Sequence, residues 1–455
     1  MSEATRTESE LRAAIERELP GVRADLERLV RIPGIAFDGF DHSHVERSAE
    51  AVAELLRGCS LDVRVVRSGN GQPAVIGRRP APPGAPTVLL YAHHDVQPVG
   101  DLSLWQSEPF EPVERDGRLY GRGAADDKAG VMAHVAALRA FGDALPVGVV
   151  LFIEGEEEYG SESLERLLVE YRDEIAADVI VIADSGNWDI GVPALTTSLR
   201  GIVNCFVEVR TLDQAVHSGM FGGAVPDALT TLCRLLATLH DSAGDVAVPG
   251  LVSAPGATVD YPEDRLRAEA GMLDGVSFIG TGRLTDRFWN KPAISVIGLD
   301  APPTGEAPNA LVPAAKAKLS VRLAPGDNAA KAYAALTEHL RRSAPFGASV
   351  TVTLEHDGEP CVIDASGPMF DAARDAFRTA WDGVDPVDIG VGGSIPFIAT
   401  FQEMFPQAAI LVTGVEDPHA RAHGPNESLH LGEFARVCLA EALLLAKVAE
   451  ASAAR

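Results

Sequence analysis

Cysteine is scarce and scattered in this chain. The 455 residues hold Cys59, Cys205, Cys233, Cys361 and Cys438, an odd set with no CxxC spacing. That argues against both a disulfide framework and a thiolate metal site. Basic residues are also in short supply: Lys and Arg number 39 against 65 Asp and Glu, for a net charge of −26. The deficit argues against nucleic acid or an anionic membrane as a partner. No apolar run approaches the roughly 20 residues of a membrane span. The opening MSEATRTESELRAAIEREL is polar and helix-like, without the apolar core and cleavage site of a secretory signal. No GxSxG elbow follows a strand, which leaves a serine hydrolase without its usual signature. These absences lead to the expectation of a cytoplasmic protein with reduced thiols.

What is present is the composition of an ordinary globular protein, 46% hydrophobic and 23% charged. The length suits two or three domains. Apolar positions at helical spacing mark a helix over Glu8–Arg31, and another is expected around Ser48–Leu56. Strands are expected at Leu61–Val66 and Ala74–Ile76. Three further runs, Thr87–Ala92, Val147–Ile153 and Val179–Ala183, are continuously apolar, as strands covered on both faces are. With a helix over Ala129–Phe141 this is an α/β pattern, in which ligands bind beyond the carboxyl ends of strands.

The middle reads differently. Strand Ile202–Arg210, helix Pro226–His240, strands Ala293–Leu299 and Ala315–Leu323, helix Asn328–Ser343 and strand Ser349–Glu355 spell β-α-β-β-α-β, the ferredoxin-like split unit. The irregular stretch Asp241–Pro292 is placed only loosely. Helix Met369–Trp381, strand Ala408–Val412 and helix Leu431–Ala449 restore the first rhythm. The expected organisation is a first domain over 1–196, interrupted by a second over 197–365 and completed by 366–455.

Five segments offer metal-binding residues where strands run out into loops: YAHHDVQP (Tyr91–Pro98), GRGAADDKAG (Gly121–Gly130), EGEEEYGS (Glu154–Ser161), VIADSGN (Val181–Asn187) and ARAHGPNES (Ala420–Ser428). His93 is a neutral imidazole donor that Asp95 could support. His94 is the rival, but adjacent strand side chains face opposite sides, so only one can aim at the site. Asp126 or Asp127 could bridge two metals with its oxygens; the alternative is a cap for the helix that follows. Glu156, Glu157 and Glu158 are costly neighbours unless a cation neutralises them, or else they form a solvated loop. One could bind metal while another serves as general base. Asp184 and His423 are weak alone. Five segments in series suggest a carboxylate-rich site for two divalent metals, and metal-assisted hydrolysis.

Over nearly its whole length the chain resembles the co-catalytic zinc peptidase family of carnosine and cytosolic dipeptidases, aminoacylase, acetylornithine deacetylase and succinyl-diaminopimelate desuccinylase. HHDVQP, GRGAADDK and Asp184 place it nearest the dipeptidase branch. The resemblance implies an α/β, phosphorylase/hydrolase-like peptidase domain with a mixed, helix-covered sheet, interrupted by a ferredoxin-like lid and dimerisation domain. It implies metal ligands His93, Asp126, Glu158, Asp184 and His423, with Asp126 shared, Asp95 orienting His93 and Glu157 as general base. It implies two divalent ions, Zn²⁺ with Mn²⁺ or Co²⁺ as alternatives, and a bridging hydroxide that attacks the peptide bond of a small peptide. His217 in VHSGMFGG (Val216–Gly223) matches a histidine that stabilises the oxyanion in the partner subunit of a homodimer. Arg322 in KLSVRL and Ser394 in GGSIPF match substrate-holding positions. Ala92 and Tyr159 depart from the family pattern where it has smaller residues. The alternative within the family is an N-acyl amino acid deacylase or desuccinylase.

Overall fold

The computed structural model describes residues 6–392 and 396–453, without the side chains of 396, 397 and 399. The chain forms two compact units. One comprises Met1–Thr196, Asp364–Ile389 and Thr400–Arg455; the other comprises Thr197–Ile363 and Gly390–Ala399.

The first unit is built on a mixed sheet. Six of its strands run in the spatial order Asp62–Val66, Ala74–Arg79, Gly148–Glu154, Thr87–His93, Val179–Ile182 and Ala409–Val412, and Ala194–Leu199 follows next to the last. Of the six, the first three pair antiparallel, and the last four lie parallel to one another. Gly148–Glu154 and Val179–Ile182 are buried at every residue, as the apolar runs Val149–Ile153 and Val179–Ile182 require of interior strands.

Helices cover this sheet. Glu8–Val30 begins at a capping box, in which Thr7 and Glu10 satisfy each other's backbone N–H groups. Lys128–Phe141 (KAGVMAHVAALRAF) is apolar or small nearly all round and accordingly buried nearly all round. It packs against Glu8–Val30, Leu431–Ala453 and the strand Thr87–His93. Among the described residues no helix is long and apolar enough to cross a membrane.

The second unit is a four-stranded antiparallel sheet in the order Ala293–Asp300, Ala314–Leu323, Gly201–Arg210, Ser349–Gly358. Helices Ala228–Leu236 and Ala329–Arg342 pack on it around a core that includes Val207, Leu232, Leu319, Val321 and Leu336. The strand Ala314–Leu323 alternates buried and half-buried residues along its whole length, the period-two pattern of a sheet with one covered face. This is the ferredoxin-like unit. The stretch that the sequence places only loosely contains two short helices, Glu263–Ala270 and Leu284–Trp289.

Candidate metal centre

The parallel strands Gly148–Glu154, Thr87–His93 and Val179–Ile182 run in register, with Tyr91 opposite both Phe152 and Ile182. Their carboxyl ends therefore finish together. His93 is the last residue of its strand, Glu157–Tyr159 is a 3₁₀ turn just past Glu154, and Asp184 follows Ile182 by two residues. Asp126 arrives from the loop that precedes helix Lys128–Phe141. His423 arrives from the loop before strand Ser428–His430, with φ of 62°.

These side chains converge. Asp126 lies between the two histidines: one carboxylate oxygen is 3.0 Å from His93 Nε2, the other 3.0 Å from His423 Nε2. His423 Nε2 is also 3.0 Å from Glu158 Oε2. His93 Nε2 lies 4.0 Å from Asp184 Oδ1 and 3.9 Å from Glu157 Oε2. Two groups result, His93–Asp126–Asp184 and Asp126–Glu158–His423, each with its ligand atoms within 4.8 Å of one another. They share Asp126.

Crowding and burial perturb the acids. Glu158 is pushed up to about 7 by burial and by the Asp126 charge. Asp184 is pushed up to about 6 by burial. Glu157 is raised well above the carboxylate range by burial, then by Asp184. Asp126 goes the other way: burial opposes its charge, but hydrogen bonds from His423 and His93 hold it ionised. The same bonds, to Asp126 and then Glu158, push His423 up to about 11. A cation among these carboxylates would neutralise the repulsion that now raises them. Two donor sets of mixed imidazole and carboxylate, joined by one carboxylate, fit a pair of divalent metals.

The neighbouring residues divide the work. His94, beside His93, turns away: its Nε2 is 2.9 Å from Pro73 O, and burial pulls it down to about 4. Alternation along the strand explains why only His93 faces the cluster. Asp95 is fully buried, 3.4 Å from His93 Nδ1, and its two oxygens accept from Glu157 N and Glu158 N at 3.1 Å each. It thereby ties the histidine to the acidic turn. Asp127 sits at the N-cap position without capping; its side chain accepts instead from His93 N at 3.2 Å. Glu156 points elsewhere and accepts from Gln72 N and Ser163 N. Tyr159 donates to Asp38 at 3.0 Å and meets Phe37 edge-on.

His217 and Arg322 belong to the second unit. His217 is exposed, pairs with Ala310 in a short ladder, and accepts from Gly219 N at 3.0 Å through Nδ1. Arg322, on strand Ala314–Leu323, is half-buried, and burial lowers its pKa. Ser394 lies outside the described residues.

Sequence reading passed over two carboxylates. Glu416 is raised well above its usual range by burial and then by the charges of Asp126 and Asp184. Glu427 is fully buried and accepts from Asp126 N. Neither carries a decisive local signal: Glu416 sits beside Asp417 in a loop with no apolar run ending at it, and Glu427 lies within ARAHGPNES but beside a strand rather than after one.

A family model described as peptidase family M20/M25/M40 matches residues 89–447. A cysteinylglycine-S-conjugate dipeptidase of Corynebacterium striatum is 37% identical over 88% of this chain and 89% of its own. The human Beta-Ala-His dipeptidase is 31% identical over 82% of this chain and 78% of its own. The crystal structure of human carnosine dipeptidase 1 superposes with a TM-score of 0.81 at 26% identity, covering 98% of this chain and 100% of that one.

Proposed function

The chain belongs to peptidase family M20/M25/M40, and on that premise we propose that it is a metal-dependent dipeptidase, hydrolysing the peptide bond of dipeptides or short peptides. The observation that carries the reading is Asp126, whose two oxygens face two separate histidines, each with a further carboxylate beside it. His93, Asp126 and Asp184 would hold one divalent ion, and Asp126, Glu158 and His423 the other. Zn²⁺ is the expected metal; a set this rich in carboxylate also suits Mn²⁺ or Co²⁺. When bound, the metals supply Lewis acidity towards the substrate carbonyl and acidify water.

The chain's own residues supply the rest. Glu157, not needed in either ligand group, is the general base. It takes a proton from the attacking water at a carboxylate oxygen and returns it to the leaving amine nitrogen. Glu157 Oε2 lies 3.9 Å from His93 Nε2, which puts the carboxylate beside the ligand groups without making it a member of either. Asp95 holds His93 and the Glu157–Glu158 turn in one geometry. Arg322 and Ser394 are proposed to hold the substrate's carboxylate or backbone, and His217 to stabilise the developing oxyanion in the site of the partner subunit.

Residues 197–365 are proposed to serve as lid and dimerisation domain. Val296, Ile297 and Leu299, about half exposed on the edge strand Ala293–Asp300, support a homodimer, since an apolar sheet edge invites pairing with a second chain. The scarcity of cysteines and their lack of CxxC spacing support a reducing compartment, and a cytoplasmic location is part of the proposal.

The test is amino-acid release from dipeptides, cysteinylglycine conjugates and β-Ala-His among them, and from N-acyl amino acids. Protein stripped by chelator is reloaded separately with Zn²⁺, Mn²⁺ and Co²⁺. Metal-dependent dipeptide cleavage is the expected result. Turnover of acylated substrates alone would overturn the dipeptidase reading.

A further inference from the structure

We propose that Glu427 is a positioning residue for the metal centre, setting the path of the Gly121–Asp126 loop and so the placement of the shared Asp126 carboxylate. Glu427 is fully buried, and its carboxylate is wholly engaged with that loop. One oxygen accepts from Arg122 Nη1 at 2.7 Å and Gly123 N at 3.0 Å. The other accepts from Ala125 N at 3.0 Å and Asp126 N at 3.1 Å. Its own carbonyl accepts from Gly121 N at 3.0 Å. One residue thus satisfies four of the loop's backbone donors and its arginine.

The arrangement does more than pair charges. Successive backbone N–H groups curled around an anion fix the dihedrals of the segment that carries them. Gly123, at φ of +79°, allows the turn this requires. Arg122 is buried, donates to Pro98 O at 3.3 Å, and lies 5.4 Å over the Trp105 ring. It locks the clamp to the segment that follows His93. The neighbouring Asn426 pins that same segment, donating to Leu104 O and accepting from Gln106 N. The segment that presents His423 therefore also shapes the loop that presents Asp126. Both ligands of His423's group that lie outside the Glu157–Tyr159 turn are set by one stretch of chain.

The inference rests on the two-metal reading above, and its test separates the two. Glu427→Gln is nearly isosteric but turns an amide nitrogen towards donors. Wild type and variant are stripped and titrated with Zn²⁺ against a chromogenic chelator, and the melting temperature of the stripped proteins is followed in parallel. Glu433→Gln is the control: Glu433 is equally buried and accepts from Trp381 Nε1, away from the loop. Glu427→Gln is expected to weaken Zn²⁺ binding by about 10- to 100-fold, the usual cost of losing a residue that orients ligands. Glu433→Gln is expected to bind Zn²⁺ as the wild type does, whatever its melting temperature. Should Glu427→Gln fail to fold, Arg122→Lys loosens the same clamp and is expected to weaken binding in the same direction. Wild type that binds two ions beside a folded variant of equal affinity overturns the positioning role alone. Wild type that binds no metal overturns the two-metal reading, and the positioning role with it.

Discussion

At the scale of single residues, the site sorts its acids by what surrounds each one. Asp126 is held ionised by two histidines, whereas burial and then Asp184 push the Glu157 carboxyl upward. Glu157→Ala should therefore lower kcat by about 10²- to 10⁴-fold, the usual worth of a general base. Metal content, read by atomic absorption, should stay near normal; a variant with normal kcat would remove Glu157 from the mechanism. His423→Ala and Asp126→Ala should differ in stoichiometry. His423 takes part in one ligand group and Asp126 in both, so the first should retain one ion where the second retains neither. Equal losses would contradict the sharing of Asp126. His93, Glu157, Glu158 and Asp184 are legible in the sequence because each lies at or just past the end of an apolar strand run. Glu427 is not, because its importance lies in the donors of a loop about 300 positions away in the chain.

At the scale of elements, the parallel strands do more than carry candidate ligands. Strand Gly148–Glu154 ends in Glu154, fully buried, whose carboxylate accepts from Tyr91 OH at 2.6 Å on the adjacent strand. Burial pushes this carboxyl up to about 8 from an ordinary 4.5. Between those values the folded chain keeps a proton that the unfolded chain has released, so stability is lost as pH rises from about 4.5 to about 8. Glu154→Gln keeps an oxygen to accept from Tyr91 and cannot ionise. Its melting temperature should fall less steeply than wild type across that window; parallel curves would mean that Glu154 is ionised in the fold. Helix positions are legible from apolar spacing, as for Glu8–Val30 and Ala329–Arg342. The supposed cap before Lys128 is not: Asp127 has the right place, but its side chain is taken by His93 N. A long-range donor outcompeted the local one.

At the scale of the whole molecule, each unit has its own core, and their stabilities should respond to different treatments. A metal pair that binds only the folded first unit stabilises it by about 2.7 kcal/mol for each site held at 100 times its dissociation constant. Chelation should therefore lower the melting temperature of the intact protein, and a curve unmoved by chelator would contradict resident metals. The second unit has a self-contained core around Leu319 and Val207, and its first and last sheet strands, Gly201–Arg210 and Ser349–Gly358, pair directly. A fragment spanning residues 197–363 should consequently fold alone, seen as a cooperative thermal transition by circular dichroism. By itself the sequence determined the class of each unit, most of the strands of the central sheet and the segments that offer candidate ligands, because apolar periodicity and acid-after-strand placement are local properties of the chain; strands such as Ala194–Leu199 and Val387–Val391 were not legible in it. Only the tertiary structure decided that Asp126 faces both histidines, that His94 turns away, and that Glu427 shapes the loop between them. Those outcomes depend on which distant donors and charges compete for each carboxylate once water has been excluded, and no stretch of sequence holds both competitors.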